Sequence, residues 1–155
     1  MKSADQWFAE YGESHQHPVN KAIHWVCVPA IAFSTVGLFM SVPMGPIAEW
    51  GGPWANLGTL LVLGALGFYL SLSARLAAAA TVASALVLAG NIALAHLATP
   101  LWMISAGIFA AAWVVQLVGH QIEGKKPSFF KDLQFLLIGP LWLIHFGFRR
   151  AGVAY

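Results

Sequence analysis

Charge is what this 155-residue sequence has least of: Asp, Glu, Lys and Arg together make up 9% of it. An ordinary soluble domain carries roughly a quarter charged residues. Too few polar groups are present here to cover a water-facing surface, so a soluble globular domain is excluded. With 59% hydrophobic residues and a mean hydropathy of +0.71, the chain has a bilayer as its solvent. Cysteine is nearly absent too. Cys27 alone permits no intramolecular disulfide and no CxxC metal knuckle, so any metal site has to be built from His, Asp or Glu. The eight Lys and Arg, against six Asp and Glu, are scattered rather than gathered into a stripe, which excludes nucleic acid as a partner. The opening MKSADQWFAEYGESHQHP lacks the basic and apolar regions of a cleaved signal peptide.

Uncharged runs are plentiful instead. The first extends from Ala22 to Pro46. The second, Trp50 to Ala74, is turn-rich through GGPWANLG, helical from about Leu57, and ends at Arg75. From Leu76 to Ile122 no residue is charged, a length sufficient for two crossings of about 20 residues each. Ala98-Thr99-Pro100 joins them, because Pro100 biases the residue before it out of the α region. The runs make four spanning helices. Lys2, Lys21, Arg75, Lys125, Lys126 and Lys131 then share the side of the N-terminus, and the two short connections on the other side carry no Lys or Arg. By the positive-inside rule the N-terminal side is cytoplasmic.

The last apolar stretch, Leu133 to Phe148, is short for a crossing and is interrupted by Gly139-Pro140. A full crossing would carry Arg149 and Arg150 outside, whereas a re-entrant hairpin bent at Gly139-Pro140 keeps them inside. Broken backbone at membrane depth is tolerated only where protein or water satisfies it, so this segment should pack against the bundle. Trp7, Phe8 and Tyr11, among Asp5, Glu10 and Glu13, suggest a short helix in the interface. The expected architecture is an all-α integral membrane helical bundle, one domain over residues 1–155. It has four transmembrane helices, an N-terminal interfacial helix and a C-terminal re-entrant or interfacial helical segment. Membrane lipids surround it, and a homo-oligomer is left open.

Six histidines in so apolar a chain require an explanation, because ionisable groups in membrane segments are rare and usually functional. The topology places His15, His17, His24 and His120 on the cytoplasmic side and His96 at the opposite end, while His145 is cytoplasmic only if the hairpin forms. Asn20 and His24 are i and i+4, on one face of the first spanning helix, which Pro18 can open because its missing N–H costs nothing there. Trp113, Gln116, His120 and Glu123 succeed one another at steps of three, four and three, one stripe of the fourth helix, with Gly119 leaving room beside His120. Lipid offers such a stripe no partners, so it must face protein or a wet cavity. Imidazole suits iron, zinc or copper, and Glu123, one turn away, could ligate or orient it. A lone histidine near a helix end is more often an interfacial group than a ligand, but three converging on one side shift that balance. His17 reads as a helix cap and His96 as a small polar contact with Asn91 or the Thr99 turn. The tryptophans read as interface belts or packing, and Lys125 and Lys126 as contacts to lipid phosphates or a substrate carboxylate.

The strings HQHPVNKAIHWVCVP and WVVQLVGHQIEGKKPSFFKDLQFLLIGPLW, with His15, Pro18, Asn20, His24, Gln116, Gly119, His120, Glu123, Pro127 and Leu133 among their positions, carry a resemblance along most of the chain. The sequence resembles the 2-hydroxy fatty acid dioxygenase family of small polytopic membrane proteins. The resemblance implies an iron(II)-dependent enzyme of fatty acid α-oxidation, with dioxygen and a long-chain 2-hydroxy fatty acid as substrates. It implies Fe(II) held by His24, His120 and either His15 or Glu123, and hydrogen bonds from Asn20 and Gln116 that fix the imidazoles. A 2-hydroxy carboxylate would chelate the iron, and cleavage of its C1–C2 bond would shorten the acid by one carbon.

Three alternatives stand beside it. A zinc-dependent membrane lipid hydrolase would use the same histidines. A transporter would need polar groups through the midplane, and a structural protein would bind no stoichiometric metal.

Overall fold

The computed structural model describes residues 2–46, 51–126 and 134–155; Trp50, Pro127, Lys131 and Leu133 lie outside the described residues. Among those described, the chain forms six α-helices and no strand. Helix α1 (Ala4–Gly12) is opened by a capping box: Ser3 Oγ accepts from Gln6 N, and Gln6 Oε1 accepts from Ser3 N at 2.8 Å. Helix α2 (Pro18–Met40) starts with proline in its first turn and with His17 as N-cap, whose Nδ1 accepts from Val19 N. The capping role read for His17 is therefore seen. Asn56 caps α3 (Leu57–Leu72) through Thr59 N. Ser73 ends α3 in extended conformation and caps α4 (Ala74–Leu94) through Leu76 N. Pro100 precedes α5 (Leu101–Glu123), which stops at Gly124 in the left-handed region that favours glycine. Helix α6 spans Phe135–Arg150.

Helices α2, α4 and α5 are long and apolar enough to cross a membrane. The second uncharged run yields only the 16-residue α3, which rises about 24 Å. Polarity is turned inside out across the bundle. Asn20, His24, Ser34, Asn91 and Ser105 are 0% exposed, while Val26 and Leu86 are 70% exposed. A surface of that kind suits lipid and not water.

Helix α2 is the centre, packed most extensively on α5 and then on α3 and α4. Glycines permit the close α2–α5 approach. A Cβ at Gly119 would lie 2.5 Å from Asn20 Oδ1, and one at Gly37 would strike Ser105 Oγ and Asn91 Oδ1. Asn91 donates to Phe33 O on α2, so its side chain serves the helix packing rather than His96, which is exposed beyond the end of α4.

The short N-terminal helix expected from Trp7, Phe8 and Tyr11 is present, and Ala4, Trp7, Phe8 and Tyr11, spaced i, i+3, i+4, i+7, are all buried in a core shared with α6, Tyr69, Leu76 and Ala80. One sequence expectation is corrected: there is no hairpin bent at Gly139-Pro140, because α6 runs through both residues as one helix. Pro140 lies in the second turn, inside the helix, and leaves Leu136 O without its usual i→i+4 partner. Gly139 supplies a slot, since a Cβ there would meet the Tyr11 hydroxyl at 3.0 Å and Val28 Cγ1 at 3.4 Å. The pair that reads as a turn is a packing surface.

Both ends of α6 are tied to the same end of the bundle. Leu137 O accepts from Tyr69 Oη near the end of α3. Past the other end of α6, Ala154 O accepts from Arg75, and Tyr155 donates to Asp5. Both termini therefore lie with α1, the start of α2 and the end of α5.

Candidate metal centre

Three imidazoles meet where the start of α2, the end of α5 and the α1–α2 link converge. His15, His24 and His120 are buried, and each offers a ring nitrogen within 4.8 Å of the others. Their ring centroids are 4.3, 5.1 and 5.0 Å apart.

Local structure fixes the proton on two of them. His15 Nδ1 faces Tyr11 O, and His24 Nδ1 lies 2.8 Å from Asn20 O. A carbonyl oxygen only accepts, so each Nδ1 carries the hydrogen, and in the neutral ring each Nε2 is left with a lone pair. Those two Nε2 atoms face each other at 2.9 Å. Two lone pairs aimed together repel unless a cation lies between them. Burial, and after it the neighbouring His24, pushes the His15 pKa down to about 3, so a proton is not that cation at neutral pH. On His120, Nδ1 is buried with no hydrogen-bond partner among the described residues. Neutral, pre-aimed nitrogen donors and an orphaned ring nitrogen fit a metal ion.

Of the two roles the sequence leaves open for Glu123, ligand or orienting partner, its hydrogen bonds favour the second. Its carboxylate clamps the α1–α2 link: Oε1 accepts from Gln16 N at 2.8 Å, and Oε2 accepts from His17 N at 2.7 Å and from Asn20 Nδ2 at 3.2 Å. The clamp joins the end of α5, which carries His120, to the segment that carries His15. Asn20 orients His24 through its backbone carbonyl, not its side chain. That side chain bridges Glu123 and Ser14 O. Gln116 is buried on the expected stripe, and its Oε1 has no hydrogen-bond partner among the described residues. Lys125 donates to Glu13 O at 2.7 Å and so is spent on the same link.

Sequence reasoning missed Tyr11, whose ring stacks on His15 at 4.2 Å and whose carbonyl orients it. The i, i+4 relation was visible, but only if α1 extends its pattern into the link. It also missed Trp142, 5.5 Å from the His15 ring, and the environment of His145. His145 is buried on α6, stacked on Phe8 at 4.5 Å, and bonded to Tyr155.

Residues 1–150 match the family described as 2-hydroxy-palmitic acid dioxygenase Mpo1-like. The chain belongs to that family. Comparison with curated proteins and with solved structures gives no match. For a member of the Mpo1-like family a cluster of neutral imidazoles is apt in kind, because such donors suit the iron of non-haem oxygenases as well as zinc or copper.

Proposed function

We propose that this protein is an iron(II)-dependent dioxygenase of long-chain 2-hydroxy fatty acids, acting at the cytoplasmic face of a membrane crossed by α2, α3, α4 and α5. One observation carries the reading: the carbonyl-anchored imidazoles of His15 and His24 turn their Nε2 lone pairs together beside His120. The family description supplies the reaction class. Helix α3 is the short crossing, a mismatch that local thinning of the bilayer accommodates. Helix α6 lies across the cytoplasmic end and keeps Arg149 and Arg150 inside with the other basic residues, as the positive-inside rule asks.

His15, His24 and His120 would hold the ion. Iron(II), when bound, supplies the means to make dioxygen reactive towards a hydroxy acid held beside it. Tyr11 O and Asn20 O keep the imidazoles aimed, and Glu123 holds the His15 segment against α5. The bundle keeps the acyl tail in hydrocarbon while the head stays near water. The balanced reaction is R–CH(OH)–COOH + O2 → R–COOH + CO2 + H2O. The C1–C2 bond breaks, C1 leaves as carbon dioxide, C2 reaches the carboxyl level, and dioxygen accepts the four electrons released.

Purified protein, reconstituted anaerobically with iron(II) and then given dioxygen, should convert 2-hydroxypalmitic acid to the acid one carbon shorter and leave palmitic acid unchanged. Turnover of neither acid, together with ester or amide cleavage by the zinc-loaded protein, would replace this reading with a lipid hydrolase.

A further inference from the structure

Beside the imidazole cluster lies a cavity of about 350 Å³, within the size range of small-ligand sites. One wall is a stripe of α6, Trp142, His145, Phe146 and Arg149, at the i, i+3, i+4, i+7 spacing of a single helix face. The opposite wall is the Asp5-bearing face of α1, and Lys21 closes it from α2. His15 borders the cavity and is also the residue that joins it to the metal centre.

The rim is cationic in balance. Lys21 and Arg149 form no ion pair among the described residues. The one rim carboxylate, Asp5, already accepts from Tyr155 Oη at 2.7 Å. The wall below is aromatic and leads outward. Trp142 packs 5.5 Å from His15 and 4.5 Å from Phe146, and Phe146 lies 6.4 Å from Trp25, which is exposed on the outer face of α2. An anion placed at Lys21 and Arg149 thus sits beside His15, with an apolar path from there to the lipid face.

We propose that Lys21 and Arg149 receive the carboxylate of a long-chain fatty acid and that the Trp142–Phe146–Trp25 line guides its tail into the leaflet. The assignment rests on the dioxygenase reading for its substrate class. It takes the carboxylate role away from Lys125, which is bonded to Glu13 O. Arg149 and Lys21 are positioning residues: they hold the head while the reacting carbons lie at the metal side.

The test is binding rather than turnover. Full-length protein in nanodiscs of zwitterionic lipid is titrated with 5-doxylstearic acid and with its methyl ester, and quenching of tryptophan fluorescence is read. The wild type should bind the acid about tenfold more tightly than the ester, the scale of one charge-assisted contact. Lys21→Gln combined with Arg149→Gln should abolish that preference while leaving ester binding and metal content unchanged. Arg149→Lys, which keeps the charge, should retain most of it and guards against a folding artefact. Equal binding of acid and ester by the wild type, or an undiminished preference in the double variant, would overturn the proposal. Failure of the dioxygenase reading looks different: iron-loaded wild type would not turn over 2-hydroxypalmitic acid, yet the acid-over-ester preference would persist.

Discussion

His15 and His24 point their Nε2 atoms at each other across 2.9 Å, while each Nδ1 is held by a backbone carbonyl. Nothing in a hydrogen-bonding pattern rewards that arrangement, since both facing atoms are acceptors. It fits a donor set that could hold a cation.

Replacement of His24 or His120 by Ala should remove stoichiometric metal from the purified protein, and His15→Ala should do the same. Metal quantification by mass spectrometry reads the outcome. Full occupancy in both His24→Ala and His120→Ala would rule out the ligand assignment.

Glu123→Gln separates a clamp from a ligand. The carboxylate accepts three hydrogen bonds from the link and Asn20 and none from a ring nitrogen, so its loss should weaken metal affinity by about 10 to 100-fold without abolishing it. A competitive chelator titration measures the shift. Complete loss of binding with the helices intact would make Glu123 a ligand after all.

Gly119→Ala should push α5 away from α2, because the new methyl would lie 2.5 Å from Asn20 Oδ1 and 3.2 Å from Ile23 Cδ1. Overpacking of that kind costs about 1–3 kcal/mol, and metal binding should fall with it. Gly107→Ala, on the same helix but with nothing within 4 Å of its Cβ, should be neutral or stabilise slightly. Thermal unfolding of the two variants side by side checks the pair; equal effects would refute the packing explanation.

Acidification should loosen the α1–α6 end of the protein. Burial first, then Arg149, holds the His145 pKa below its ordinary 6.5. Below pH 6.5 the unfolded chain therefore takes up a proton that the folded one resists, so this contribution is present above 6.5 and is lost as pH falls. The Tyr155 hydroxyl spends its one proton on Asp5, which leaves His145 Nδ1–H to donate to the Tyr155 oxygen. His145→Gln should flatten the decline of melting temperature as pH falls below 6.5. An unchanged slope would count against the assignment.

The sequence by itself settled the features that composition and helical period control. Scarcity of charge pointed to a bilayer rather than water as the solvent, and the uncharged runs located α2, α4 and α5 within a few residues. The 3-4-3 spacing of Trp113, Gln116, His120 and Glu123 placed one polar stripe on α5. The side on which Lys and Arg fall put His15, His24 and His120 at one end. What it could not decide depends on which surfaces meet. Gly139-Pro140 has the local chemistry of a turn, yet only the Tyr11 hydroxyl lying on Gly139 tells that α6 continues through it as a packing face. Glu123 has the chemistry of a ligand, yet the backbone N–H groups of Gln16 and His17, more than 100 residues away in the chain, claim its oxygens first. Residue spacing reports the faces of single helices. Hydrogen-bond donors and acceptors are allotted only when helices pack, and that allotment turned Glu123 to the α1–α2 link and brought three imidazoles together as a candidate metal site.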